Sequence, residues 1–471
     1  MAKIRSFFQT VTGASSFLLN SSLIAIPYLL FLRLVDGTNL ESILPLVIFY
    51  TLRMTGVFLL HSIKTGAGSY SILMFSFVLG LAGALFGMLG TLYFPLFILS
   101  AILMGLATAF IKPVFTTLNF HKREEKAAGG PAEKKKGKML PLAFVVVFLL
   151  ALMALPGKIQ TFAVMLLYLV LFAMAIYSTS RDPEYQFKFV HLRDTTVSLK
   201  GAAVFIIFFA LLAALRIARR TMDAKRLDLV AICFSVAFWI AILIVFLKRK
   251  RAKLPLWLNI ISLANGMCGN FLFIFGSFYI GALYGINAAT AQVYIPFVLG
   301  MGAAMAFSGK VQRLFKNTPP IVVQVVGLCA SLTLMMTPFL FPASVFLVSF
   351  FFSGTSSWLD RKFYETEAIP YERRLVSKYS LQDIGSITYQ FVIAALILAI
   401  FQSYQLPTGA FFTLTENVVH SQSLIAAMDT AKFWGCLILA ALLIAALIHM
   451  GKTCGNKKEN NRLTKRGRKK E

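Results

Sequence analysis

The stretch Ser69–Leu89, SYSILMFSFVLGLAGALFGML, and the stretch 92–113 that follows it, LYFPLFILSAILMGLATAFIKP, decide the fold. Across both runs only Lys112 carries a charge, and only Gly90 and Thr91 separate them. Each run matches the roughly 20 residues that a helix needs to cross a hydrocarbon core of about 30 Å. No water is available there to satisfy backbone N–H and C=O groups, so each run must close its hydrogen bonds internally as a helix. The two-residue link then forces a tight antiparallel hairpin.

Outward from this hairpin the pattern repeats along the chain. Apolar runs occupy 11–32, 43–62, 69–89, 92–113, 139–156, 159–177, 200–217, 226–247, 256–282, 287–307, 319–336, 341–358, 384–402 and 428–450. They predict an all-α polytopic membrane protein with about 14 transmembrane helices. Lys112-Pro113 is expected to end the fourth span, because proline cannot continue the backbone pairing. The first run follows the short basic start Met1–Arg5 and no small-residue cleavage site follows it. It reads as a first span rather than a cleaved signal.

Composition agrees. The 471 residues are 58% hydrophobic, with 45 Phe. Lys and Arg number 46 against 19 Asp and Glu, a net charge of +27. These cations sit between spans and in the tail, where the positive-inside rule places them, so no nucleic-acid partner is implied. Lys3 and Arg5, the loop 114–138, the linker 248–255, the loop 308–318 and the tail from Lys452 to Lys470 all fall on one side of a fourteen-span chain. That side is the cytoplasm, and both termini are expected there, in a cell membrane. The cluster Arg216, Arg219, Arg220, Lys225 and Arg226 breaks the rule. Either 200–217 and 226–247 both cross and the loop violates the statistics, or 200–217 does not cross and lies at the interface as an amphipathic helix or forms a re-entrant hairpin with its neighbour. The basic loops and tail are expected to touch anionic bilayer lipids.

Cys233, Cys268, Cys329, Cys436 and Cys454 have no metal-ligand spacing and read as small apolar residues. No phosphate-cradling loop, zinc motif or nucleophile elbow occurs, so no enzyme, metal or cofactor is expected. A transferase acting on lipid phosphates would have only the acidic residues of 359–383 to draw on.

Removing the central pair leaves six spans on either side. The expected domains are 1–177, a central linker 178–255 with two extra helices, 256–450, and the basic tail 451–471. At matching places the halves carry Ser62-Ile63-Lys64 and Ser308-Gly309-Lys310. This 6+2+6 plan resembles the major facilitator superfamily. That family has a Gly-rich loop with Asp and Arg between its second and third helices. Here the stretch His61-Ser62-Ile63-Lys64-Thr65-Gly66-Ala67-Gly68 keeps two glycines and a cation but lacks the acid, as does Ser308-Gly309-Lys310-Val311-Gln312-Arg313. The resemblance implies alternating access by two six-helix bundles, as in a secondary transporter; a monomer is expected. A flippase for a lipid or lipid-linked saccharide, and a non-transporting scaffold, are the alternatives.

Arg53 is the most informative single residue. It lies mid-span, where a cation costs about 2.5–3.5 kcal/mol on insertion scales. Its forked guanidinium suits a phosphate or carboxylate. It reads either as the charge-reading residue for a small anionic solute or anionic lipid, or as a structural cation. Asn20 in the first span, and Asn265 and Asn270 in the first span of the second half, are candidate hydrogen-bonding residues for a substrate or between helices. Tyr389 and Gln390 form a further patch. Lys64, Lys310, Asp360 and Arg361 are candidate gating charges. Carboxylates deep in the spans are missing. Asp36 and Asp429 lie at span ends, so coupling by a mid-membrane acid has no obvious carrier.

Overall fold

A computed structural model describes residues 2–24, 26–35, 40–64, 68–128, 157–181, 196–221, 254–285, 288–407 and 421–467, with positions 148, 151, 152, 155, 236, 240 and 410. The apolar runs are largely helical where they are described, with turns or bends at Leu23, Ile24, Leu92, Tyr93, Phe94, Pro95 and Leu155. In chain order the helices are α1 (Ala2–Ser22), α2 (Ile26–Arg33), α3 (Leu40–Ser62), α4 (Ser69–Leu89), α5 (Leu96–Ala128), α6 (Gly157–Ser180) and α7 (Leu199–Thr221). Then come α8 (Leu256–Asn270), α9 (Gly276–Tyr284), α10 (Ile295–Leu314), α11 (Pro320–Met335), α12 (Phe341–Tyr364), α13 (Arg374–Ser403) and α14 (Gln422–Gly467). Among the described residues nine helices are long and apolar enough to cross a membrane, or ten if the bent pair α1–α2 is one span. Helix α11 and part of α7 are apolar but shorter. Of the expected spans 139–156 and 226–247 only scattered positions are described.

Several boundaries differ from expectation. The first span is broken: α1 and α2 meet at 56°. Pro27, in the first turn of α2, has no N–H to carry the pairing across the break. The fourth span does not end at Lys112-Pro113; α5 runs through Pro113 to Ala128. Proline removes only its own N–H, and the flanking turns stay closed. Thr116 Oγ1 donates to the Lys112 carbonyl at 2.7 Å and Thr117 Oγ1 to that of Pro113 at 2.8 Å. A π-helical turn, Phe271–Phe275, joins α8 to α9, and another, Thr290–Tyr294, leads into α10. The first places the rings of Phe271 and Phe275 in a stack, centroids 4.9 Å apart. The expected loop 359–383 is mostly helical, shared by α12, a short turn Tyr371–Arg373 and α13.

The helices gather into two compact units. Unit 1 holds Met1–Thr221, Ala237–Val245 and Pro370–Tyr379; unit 2 holds Met222–Val236, Phe246–Ile369 and Ser380–Glu471. In unit 1, α3 packs on α5, α4 on α5 and α6, and α1 on α6 and α5. In unit 2, α10 packs on α12, α11 on α12 and α14, and α8 on α14 and α12. Numbered within each half, both units make the same pairs: second with fourth, third with fourth, third with sixth, first with sixth and first with fourth. The two halves thus share one packing plan that their sequences barely reveal.

Lipid tails are as apolar as Leu, so close contact rather than burial from water holds such helices together. The small residues of α4 serve this. A Cβ on Gly83 would stand 2.7 Å from Met104 Cγ, and one on Gly87 2.8 Å from Ser100 Oγ. Ser100 Oγ in turn donates to the Gly83 carbonyl at 2.7 Å.

Unit 1 also takes in α7. It enters through two-residue strands, β1 (Ile63–Lys64) and β2 (Thr196–Val197), paired antiparallel with Ile63 opposite Val197. Ser198 N–H donates to the Ser62 carbonyl at 2.8 Å. The helix then lies on α3, with the rings of Phe58 and Phe208 5.1 Å apart.

Candidate functional site

Arg53 lies on α3, about 14 Å from the Ser62 end at 1.5 Å per residue. Its neighbours Thr51 and Thr55 are fully buried, while Arg53 itself is half-buried. Its guanidinium carbon stands 5.4 Å from the ring centroid of Tyr50, one turn earlier. Tyr50 packs in turn against Tyr28 of α2, rings 5.2 Å apart. Among the described residues Arg53 has no hydrogen-bond or ion-pair partner. The aromatic face supports the cation without consuming any of its five N–H donors. On α1, the side-chain oxygen of Asn20 is buried and lacks a hydrogen-bond partner among the described residues. Asp36 lies outside the described residues.

The second-half candidates are engaged between helices. Gln382 Nε2 of α13 donates to Asn265 Oδ1 of α8, and Asn265 Nδ2 donates to the Phe352 carbonyl of α12 at 3.0 Å. Asn270 Nδ2 donates to the Ser386 carbonyl at 2.8 Å, and Ser386 Oγ to that of Gly266 at 2.8 Å. Tyr389 is fully buried, and its hydroxyl donates to the Gly435 carbonyl of α14 at 2.9 Å. Gln390, its neighbour, is buried.

Of the gating candidates, Lys64 lies in β1, and the Lys310 ammonium sits 5.1 Å from the Phe307 ring centroid. Asp360 is half-buried near the end of α12. Arg361 Nε pairs with Glu365 Oε1 at 2.9 Å in an exposed i,i+4 bridge, which contributes little. Different residues hold the Pro370–Tyr379 stretch within unit 1. Tyr371 hydroxyl and His121 Nδ1 are 2.8 Å apart, and Arg373 Nη2 donates to the Ile63 carbonyl at 3.2 Å. Lys112 and the fully buried Lys378 lie 5.3 and 4.1 Å from the Tyr379 ring centroid. Sequence patterning gives no sign of the contacts of Tyr371, Arg373 and Tyr379 with His121, Ile63 and Lys112, because they join positions 250 to 310 residues apart.

Lys432 was also missed. Helix α14 starts at Gln422, earlier than the apolar run beginning at 428 suggests, with Ser421 Oγ accepting the Leu424 N–H at 3.3 Å as its cap. Asp429 and Lys432 therefore lie well inside the helix. Lys432 Nζ donates to Asp429 Oδ1 at 2.8 Å and to the Tyr279 hydroxyl of α9 at 2.7 Å. The readable signal was the i,i+3 spacing of opposite charges in Asp429-Thr430-Ala431-Lys432. Among the described residues no group of three or more His, Cys, Asp or Glu side chains could hold a metal ion.

No family model and no curated protein matches the sequence. Solved structures do match. A POT family transporter in complex with 5-aminolevulinic acid is 12% identical, over 95% of this chain and 95% of that one, with a TM-score of 0.50. The nucleoside transporter NupG is 11% identical over 94% and 98% of the two chains, with a TM-score of 0.47. The major facilitator superfamily transporter FucP, in its outward conformation, is 12% identical over 92% and 98%, with a TM-score of 0.42. What is shared is the fold. The chain is an all-α polytopic membrane protein whose fold is similar, over most of its length, to that of this POT family transporter. All three of these structures are of transporters, none of an enzyme.

Proposed function

We propose that the protein is a secondary transporter that moves an anionic or amphipathic anionic solute by alternating access, with Arg53 reading the charge. The observation that carries this is the mid-span guanidinium seated on the Tyr50 ring, with no carboxylate or carbonyl partner among the described residues. A cation at that depth is costly, and a carboxylate or phosphate approaching it gains two parallel, charge-assisted hydrogen bonds. Asn20 adds a hydrogen bond to the solute from α1. Asn265, Asn270 and Tyr389 are assigned to holding α8, α13 and α14 together, since both asparagine amide nitrogens and the Tyr389 hydroxyl are already engaged. Gln390 stays a candidate contact. Lys310, Lys64, Asp360 and Arg361 are secondary to the contacts of Tyr371, Arg373 and Tyr379 in gating.

The shared packing plan of the two units supports two six-helix bundles, with α7 and the 226–247 segment as the added pair of a fourteen-span chain. The charge pattern supports cytoplasmic termini in a cell membrane and basic loops against anionic lipids. The test is thermal unfolding of the detergent-purified protein against phosphorylated, carboxylated and lipid-linked anions, with Arg53→Ala and Arg53→Lys alongside. A selective upward shift that is lost in Arg53→Ala is expected. No shift in the wild type, or an equal shift in Arg53→Ala, would count against the proposal.

A further inference from the structure

Arg53 stands alone in charge as well as in depth. Within the fourteen apolar runs, every other Asp, Glu, Lys, Arg and His except Lys432 lies within two residues of a run end, whereas Arg53 lies nine residues from the nearer one. Lys432 is already matched, its ammonium donating to Asp429 Oδ1 at 2.8 Å. Every Asp and Glu of the chain lies in a link, in the tail or within two residues of a run end. Arg53 itself has no carboxylate partner among the described residues. The spans therefore hold one unmatched charge at mid-depth, and it is a single positive one.

Within unit 1 the helix packing keeps the next cation away. A Cβ on Gly56 would stand 2.7 Å from Ala109 Cβ, and one on Gly105 2.9 Å from Leu52 Cβ. These contacts run in the same order along both helices, so α3 and α5 are parallel, with Gly56 and Ala109 at one level. Arg53 lies three residues before that level and Lys112 three residues beyond it. Six residues of rise separate the two by about 9 Å along the axis. The Lys112 ammonium rests 5.3 Å from the Tyr379 ring centroid. The Tyr50 ring, 5.4 Å from the Arg53 guanidinium carbon, adds no charge of its own. An anion at Arg53 thus meets one guanidinium.

Charge balance then selects the ligand. The empty site carries plus one. A singly charged anion brings it to zero. A doubly charged anion leaves it at minus one, as far from neutral as before. An unpaired charge at that depth is costly, and a dianion also gives up more hydration to get there. We propose that the Arg53 site admits anions with one negative charge and excludes divalent ones. The ligand class is a singly charged oxyanion, carried by a monocarboxylate or by a phosphodiester. Phosphate monoesters, at about −1.5 to −2 near neutral pH, fall outside it. The inference rests on the anion-transporter reading above and narrows it.

The test uses the full chain in phosphatidylcholine nanodiscs, in mildly alkaline buffer at constant ionic strength. Carboxyls and phosphate monoesters are there fully ionised. The thermal unfolding midpoint is followed against the concentration of two matched pairs, butyrate with succinate and diethyl phosphate with ethyl phosphate. In the wild type the singly charged member of at least one pair should raise the midpoint. Its doubly charged counterpart should need at least ten-fold more for the same shift. Arg53→Gln should lose the response. Arg53→Lys, which keeps one charge without the fork, should keep the order within each pair and covers the case of a Gln variant that fails to fold. A doubly charged member acting through Arg53 at equal or lower concentration would overturn the single-charge rule and leave the anion reading standing. No shift from either pair, or an equal shift in Arg53→Gln, would remove the anion reading and this inference with it. Repeating the series with phosphatidylglycerol in the nanodisc separates the sources. Loss of the soluble anion's shift there assigns the site to a lipid phosphodiester, and its persistence assigns it to a solute; both results keep the single charge.

Discussion

Gly266 of α8 and Gly385 of α13 are the points at which these two helices meet backbone to backbone. A Cβ on Gly266 would run into the carbonyl of Gln382, and one on Gly385 into the carbonyl of Leu263. The neighbouring Asn265–Gln382 and Ser386–Gly266 hydrogen bonds depend on this approach. Replacing either glycine with Val is expected to cost at least about 1–3 kcal/mol, because backbone cannot swing aside as a side chain can. Thermal unfolding in detergent checks this. Gly302→Ala is the control, since a Cβ there meets nothing within 4 Å; an unchanged midpoint in Gly266→Val would contradict the close approach.

Asn265 is expected to behave as a structural residue. Asn265→Ala leaves the buried Gln382 amide with only the long 3.5 Å contact to Ser356 Oγ and should destabilise by about 1–3 kcal/mol. Asn265→Ala with Gln382→Ala should be less than additive. Strict additivity in the double-mutant cycle would show that the two amides do not interact.

Helix α7 is expected to be part of unit 1. Phe208 is fully buried against Phe58, so Phe208→Ala should cost about 3 kcal/mol. The unfolding midpoint reports it. A midpoint equal to wild type would mean that α7 does not rest on α3.

Pro113 is expected to be tolerated rather than required as a stop. Pro113→Ala restores one backbone N–H within α5 and should leave the unfolding midpoint equal or higher. A clear fall would indicate that the proline shapes the helix in a way its continuous path does not reveal.

The sequence exposes the spans because a bilayer demands long uncharged runs, and such runs are counted directly. It does less well at helix ends. Pro113 looks terminal by propensity, yet the Val114–Lys126 stretch has enough helical pattern to carry α5 onward. Asp429 looks peripheral because the apolar run thins before Met428, although the Ser421 cap starts the helix earlier. Partners are the least readable property. That Asn265 and Asn270 are polar within a span is plain; that Gln382 and the Ser386 carbonyl meet them depends on the register between α8 and α13, which no local pattern encodes. Arg53 is visible as a mid-span cation, whereas its seat on Tyr50 follows from the three-residue spacing only once the helix is established. The shared pairing plan of the two units is likewise a property of packing.

The most direct measurement is uptake into proteoliposomes. Vesicles holding the wild-type chain, Arg53→Gln, or no protein are incubated with a pooled panel of carboxylates and phosphates. They are then washed and their contents identified by mass spectrometry. At least one anion should accumulate in wild-type vesicles, saturably, and not in Arg53→Gln or empty vesicles. Accumulation of no anion by the wild type, or equal accumulation by Arg53→Gln, would contradict Arg53 as the charge-reading residue of an anion transporter.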